Sequence, residues 1–237
     1  MRISSALVSY AGACLLLIPV GCRDTATESD GGAGATVLVN GTLVDYYTSL
    51  ELEGAEVCAL EDGKKSANCT TTDANGAYSI KLRPRTETGI FIAKVGHEAW
   101  LFPLWLTTHT TLRVLGLDAD ARALQNYSTA GATYPPVQKG HLWINGEPGA
   151  TVSALPEAGV GPVYFGTSAT VDMTTQAMMA PAPVAGLLDV TPGQYDVEVV
   201  LTGKSCTVAD HMGWPSSKTL KAPVLDGLST GTAVQCN

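Results

Sequence analysis

The residues of this 237-residue chain whose types could do chemistry are six cysteines, four histidines and four tryptophans. His97 is followed by Glu98, and with His109 on a neighbouring strand these would supply the imidazoles and carboxylate that a metal wants. None of His97, His109, His141 or His211 has a Glu three residues later, so the His-x-x-Glu pair of a catalytic zinc is missing. There is also no His-Glu-x-x-His, no Gly-x-Ser-x-Gly and no glycine loop to cradle a phosphate. Asp73-x-Asn75-Gly76 alternates oxygens as part of a calcium loop does, but no bidentate glutamate follows, and a tight turn is needed there anyway. The chain is read as a non-enzyme with no catalytic residue, no metal and no cofactor.

The cysteines are more informative. Met1 to Ser5 carries Arg2, Ala6 to Val20 is mostly apolar, and Gly21-Cys22 follows. A basic start, an apolar run of about 15 residues and a small residue at its end make a secretory signal. The run is shorter than the roughly 20 residues of a spanning helix. Residues 1–21 resemble a bacterial lipoprotein signal. The resemblance implies cleavage before Cys22, a lipid on Cys22 and the membrane as a partner through that lipid. An ordinary signal peptide cleaved nearby is the alternative. By analogy with enterobacterial lipoproteins, Arg23 in place of Asp implies an outer-membrane location in the cell envelope. Residues 22–35 are rich in Thr, Ser, Asp and Gly, cannot bury enough surface to offset ordering, and read as a flexible tether. Cys14 leaves with the signal, so Cys58, Cys69, Cys206 and Cys236 remain, and four cysteines allow three pairings. Cys58–Cys69 and Cys206–Cys236 are favoured because each pair falls within one half of the chain. A four-thiolate zinc site is the alternative, but no Cys-x-x-Cys spacing exists.

The elements that position these residues read as all-β. Short apolar or alternating runs recur between Gly, Asn and Asp, and no stretch shows helical periodicity over ten or more residues. Asn40-Gly41 divides Val37–Val39 from Thr42–Val44 as a turn would, and Asn75-Gly76 reads as a tight hairpin turn that sends Tyr78 and Ile80 to one buried face. Gly54-Ala55-Glu56-Val57, then Thr72-Asp73-Ala74-Asn75-Gly76-Ala77-Tyr78-Ser79-Ile80 and Gly96-His97-Glu98, resemble the carboxypeptidase regulatory-like domain. That resemblance implies a transthyretin-like β-sandwich over 36–118, an auxiliary module that carries no activity of its own. Gly149-Ala150-Thr151-Val152-Ser153-Ala154-Leu155 echoes Gly54 to Leu60, and Thr191-Pro192-Gly193-Gln194-Tyr195 looks like a later strand of such a sandwich. Residues 139–237 are therefore read as a second β-sandwich, transthyretin-like or immunoglobulin-like, with 119–138 as linker and Val171 to Ala185 as a large loop. Two tandem β-sandwiches is the expected architecture.

A formal net charge of −8, with only 15% charged residues, argues against nucleic acid and anionic membrane surfaces as partners. The most apolar stretch after the signal is Trp100-Leu101-Phe102-Pro103-Leu104-Trp105-Leu106. Alternation puts Trp100, Phe102, Leu104 and Leu106 on one strand face, with Leu101 and Trp105 on the other. Pro103 would keep this strand near a sheet edge. Such a strand is either covered on both faces or exposes a patch, and Trp100, Phe102 and Trp105 form the candidate binding surface for a protein or a glycan. Trp143 and Trp214 could add a second surface. The expected function is that of a lipid-anchored envelope protein with a structural, adhesive or protein-binding role. The alternative is a carbohydrate-binding module that uses exposed tryptophans.

Overall fold

The computed structural model describes residues 35–112, 115–155, 159–167 and 170–237. The signal, Cys22 and the tether as far as residue 34 lie outside the described residues. Inward and outward residues alternate along β1 (Val37–Asp45), which buries Val37, Val39 and Leu43. Asn40-Gly41 is not a turn but the middle of this strand. Gly41 lies opposite Tyr78 in the register, and a Cβ there would sit 2.3 Å from the Tyr78 hydroxyl, so the glycine makes room for a ring laid across it.

The first half continues through β2 (Glu56–Glu61), β3 (Lys64–Thr71), β4 (Ala77–Leu82), β5 (Thr88–Ala93), β6 (Trp100–Leu104), β7 (Thr110–Thr111) and β8 (Leu115–Leu117). One sheet has β1 between antiparallel β4 and parallel β7 and β8; facing it are β3, β2, β5 and β6 in antiparallel order. Val39, Leu43, Val57, Ile80, Ile90, Ile92 and Leu104 fill the space between. β4 buries Tyr78, Ile80 and Leu82 in strict alternation. The two-residue hairpin turn of this half is Asp62-Gly63, both left-handed at φ 50° and 74°, which joins β2 to β3. Asp73 to Gly76 is instead a corner where the chain leaves the sheet of β3 for the sheet of β4. Asp73 Oδ1 accepts the N–H groups of Asn75 and Ala77, so this carboxylate holds the turn.

Between the halves runs α1 (Asp120–Ala130), an 11-residue helix inside the stretch expected to be linker. Its buried residues Ala123, Asn126, Tyr127 and Ala130 keep helical spacing, but alanine and asparagine carry most of that stripe, so hydropathy does not reveal it. The second half comprises β9 (Gly140–Asn145), β10 (Thr151–Leu155), β11 (Val160–Phe165), β12 (Val171–Asp172), β13 (Val184–Val190), β14 (Gly193–Val200), β15 (Cys206–Val208), β16 (Leu220–Val224) and β17 (Ser229–Cys236). One sheet is β10, β14 and β16; the other runs β12, β11, β13, β9, β17, with β15 on β17. Leu142, Ile144, Val152, Leu187, Val197 and Leu220 lie in the core between them.

Both halves use one connectivity. The first strand of each pairs antiparallel with a later strand (β1 with β4, β9 with β13) and parallel with the closing one (β1 with β8, β9 with β17). The second strands pair with β5 and β14, which pair in turn with β6 and β16. The third strand differs, with β3 on β2 but β11 on β13, and the short strands β7, β12 and β15 have no counterpart in the other half. The echoing Gly-Ala pairs open the second strand of each half, and Ala55 and Ala150 are both fully buried.

The fold is all-β, with two sandwiches fused along a seam. β17 pairs parallel with β6 through Ser229↔Trp100 and Thr230↔Leu101, which makes one ten-stranded sheet across both halves. β6 is therefore an interior strand, contrary to the edge expected from Pro103. The proline is tolerated because β17 pairs only with the first two residues of β6, so no partner asks position 103 for an N–H.

Candidate functional site: a carboxyl and an aromatic cleft at the seam

The segment before β6 and the segment before α1 meet in a small antiparallel bridge, His97 with Ala119. Glu98 N–H donates to Asp118 O at 2.9 Å, and Asp120 N–H to Gly96 O at 3.0 Å. This clamp turns Glu98 inward beneath α1, where it is 4% exposed. The hydroxyls of Tyr127 on α1 and Ser229 on β17 both donate to Glu98 Oε1, and Trp143 Nε1 on β9 donates to the Tyr127 hydroxyl at 2.9 Å. One carboxyl thus gathers both halves and the helix.

Burial pushes the Glu98 carboxyl up to about 8, with the Asp118 charge adding to this, while Ser229, Tyr127 and Trp100 act against it. Its Oε2 and the Trp100 indole N–H are buried and outside hydrogen-bond geometry with any described residue. Asp118 is pushed up to about 7, mainly by burial and then by Asp45, with Arg122 opposing. Burial also raises Asp45, but hydrogen bonds from Thr48 and Tyr47 outweigh it, leaving that carboxyl below its ordinary value. On the far side of Tyr127, His141 stacks with its ring 4.1 Å away. His141 Nδ1 accepts Asp189 N–H and Nε2 faces Thr133 O, an arrangement that suits the neutral ring. Burial lowers its pKa to about 4.

Beside the carboxyl network lies a cleft of about 290 Å³. Tyr46, Trp100, Phe102 and Asp118 line it from the first half, and Trp143 and Phe165 from the second. Trp100 stacks on Phe102 at 5.6 Å, and Trp143 meets Phe165 edge-on at 5.3 Å.

Of the residues singled out from sequence, Trp100 and Phe102 come together here, Trp100 half-buried and Phe102 4% exposed. Trp105 does not join them: it sits half-buried beside Val208, His211 and Pro215, with its backbone N–H on His211 O. Leu101, on the opposite face, packs on Leu60 and Trp214, whose indole is buried with its N–H on Thr88 O. These tryptophans form no flat, exposed platform. Cys58 is joined to Cys69 and Cys206 to Cys236. Glu56, Cys58 and Cys69 lie close enough to hold an ion, but the disulfide leaves them no thiolate. His97 approaches Asp45 at 3.3 Å, and His109 Nδ1 accepts Leu38 N–H. Glu98 was legible only as a neighbour of His97. Asp118, Tyr127, Phe165 and Ser229 carried no signal, because no motif links residues brought together by strand register.

No family model matches the chain, and no curated protein matches it. Among solved structures it is similar to the Bacillus anthracis TIE protein, at 13% identity over 85% of this chain and 34% of that one, with a TM-score of 0.29. It is also similar to a streptococcal ancillary pilin, at 12% identity over 85% and 62% of the two chains, TM-score 0.27. A third likeness is to a B repeat unit of the collagen-binding surface protein of Staphylococcus aureus, at 9% identity over 86% and 97%, TM-score 0.24. The chain spans about a third of the first and under two thirds of the second. At these TM-scores no function is carried from them to this chain.

Proposed function

We propose that this chain is an exported protein of the cell envelope, anchored by lipid on Cys22, that acts by binding or as a spacer and not by catalysis. The carrying observation is the pairing of all four cysteines that follow Cys22, as Cys58–Cys69 and Cys206–Cys236, bonds that persist in oxidising compartments outside the cytosol. The signal-like residues 1–21, the polar tether of 22–35 and the resemblance of 36–118 to a regulatory-like module support the same reading. The halves 36–118 and 139–237 are its two modules, with α1 in the joint between them, and the outer membrane is its expected location.

The test is intact mass and detergent partitioning after expression in a bacterium, wild type beside Cys22→Ala. Loss of residues 1–21 with gain of acyl chains, abolished in the variant, is the expected result. A mature chain without acyl groups would overturn the anchor and make the protein a diffusible binder.

A further inference from the structure

We propose that the cleft at the seam binds a small organic ammonium ion, its charge among the rings of Tyr46, Trp100, Phe102, Trp143 and Phe165 and opposite the Asp118 carboxylate. This deepens the binding reading above and rests on it.

The lining decides the sign of the ligand. Five aromatic residues and one aspartate line the space, with no lysine or arginine among the described lining residues. Ring faces carry negative potential, so they attract a cation, most strongly where water is excluded. Among the described residues no cation hydrogen-bonds to Asp118; Arg122 acts on it only at a distance and is itself stacked over Tyr47 at 4.3 Å. Burial and Asp45 favour the neutral form of this carboxyl, and a bound cation would supply an opposite charge. The net charge of −8 draws cations towards the molecule as a whole.

The lining also decides size and polarity. At about 290 Å³ the space is at the small end for ligand pockets. Among the lining residues only Asp118 and Asn145 offer polar side chains apart from the Tyr46 hydroxyl and the indoles, too few for the many hydroxyls of a sugar. The rings lie where glycine leaves space for them. Gly186 and Gly231 flank Trp143 in the register. A Cβ at Gly186 would stand 2.4 Å from the Trp143 ring, and one at Gly231 would stand 2.5 Å from the Phe102 ring.

The experiment is a titration of the purified chain with choline, with its uncharged tert-butyl counterpart 3,3-dimethylbutan-1-ol and with glucose, read by tryptophan fluorescence and calorimetry. Choline is expected to saturate, and the neutral alcohol to bind about tenfold more weakly or worse. Asp118→Asn is expected to weaken choline about tenfold while leaving the neutral alcohol unchanged. Equal binding of choline and the alcohol, saturation by glucose alone, or no saturation by choline below about 10 mM overturns the proposal. If Asp118→Asn does not fold, the comparison of charged and neutral ligands on the wild type decides by itself. None of these readings depends on the acyl chain, so a failed anchor and a failed cleft are distinguished.

Discussion

Ser229 stands opposite Trp100 in the register that joins β17 to β6, and its hydroxyl reaches back to the carboxyl of Glu98 two residues before that tryptophan. The seam between the halves is thus held by backbone pairing and by a side chain at the same place. Tyr127 brings α1 to the same carboxyl, and through Tyr127 so does Trp143 of β9. Changes at this point should therefore be felt on both sides of the seam.

Stability should fall as pH rises from 5 to 8. The folded pKa values of Glu98 and Asp118 are raised to about 8 and about 7, from 4.5 and 3.8. Their contribution is full below the unfolded values and is lost as pH climbs through the folded ones. His141 works the other way: its pKa is lowered from 6.5 to about 4, so its contribution is present above 6.5 and lost as pH falls towards 4. The two carboxyls outweigh the one imidazole, and the net loss between pH 5 and 8 is about 3–5 kcal/mol. Urea unfolding at pH 5, 6.5 and 8 measures it, and Glu98→Gln should flatten the slope. A profile that rises with pH would mean both carboxyls are ionised in the folded chain.

Tyr127→Phe should cost about 2–4 kcal/mol, because it leaves the Trp143 indole N–H and Glu98 Oε1 each one partner short in a buried place. Thermal unfolding reads the loss. A double-mutant cycle with Trp143→Phe should show coupling, since the two side chains share one hydrogen bond.

Two glycines of similar backbone conformation should respond differently to alanine. Gly63 has φ 74° and nothing within 4 Å of an added Cβ, so Gly63→Ala costs only left-handed strain, roughly 1 kcal/mol. Gly76 has φ 68°, but a Cβ there would lie 2.2 Å from the carbonyl oxygen of Leu43 on β1. Gly76→Ala should cost about 3 kcal/mol or more by chemical denaturation. Equal losses would show that the corner at Asp73 to Gly76 yields freely.

The disulfides should contribute unequally. Cys206 and Cys236 are 30 residues apart and Cys58 and Cys69 are 11, so loop closure favours the former by roughly 1 kcal/mol. The paired serine variants Cys206→Ser/Cys236→Ser and Cys58→Ser/Cys69→Ser, compared by urea midpoint, test the order. A larger loss from the shorter loop would point to structure retained in the unfolded chain.

What was legible in the sequence was local. The alternation at Tyr78, Ile80 and Leu82 and the echo of Gly54-Ala55 in Gly149-Ala150 belong to contiguous residues, and the strands follow them. The helix escaped notice because its inner stripe is mostly alanine and asparagine. Asn40-Gly41 misled because a glycine that yields space to Tyr78 looks the same as one that turns the chain, while the hairpin signal of Asp62-Gly63 went unread. In the cleft, Trp100 and Phe102 stood out by hydropathy. Trp143, Phe165 and Asp118 reach them only through the register of β17 and the fold-back at Ala119, which no spacing in the sequence encodes.

β17 follows every other strand of the ten-stranded sheet along the chain, and this sets an order of completion. Before residues 229–236 are placed, β6 and β9 each have a bare flank, β15 has no sheet to join and Cys206 has no partner. A growing chain therefore passes through a stage in which the first sandwich has β6 as an open edge and the second lacks its closing strand. One strand then closes both. A chain halted before Ser229 would keep those two flanks exposed, and it is in that state, rather than when finished, that two copies are most prone to pair with each other.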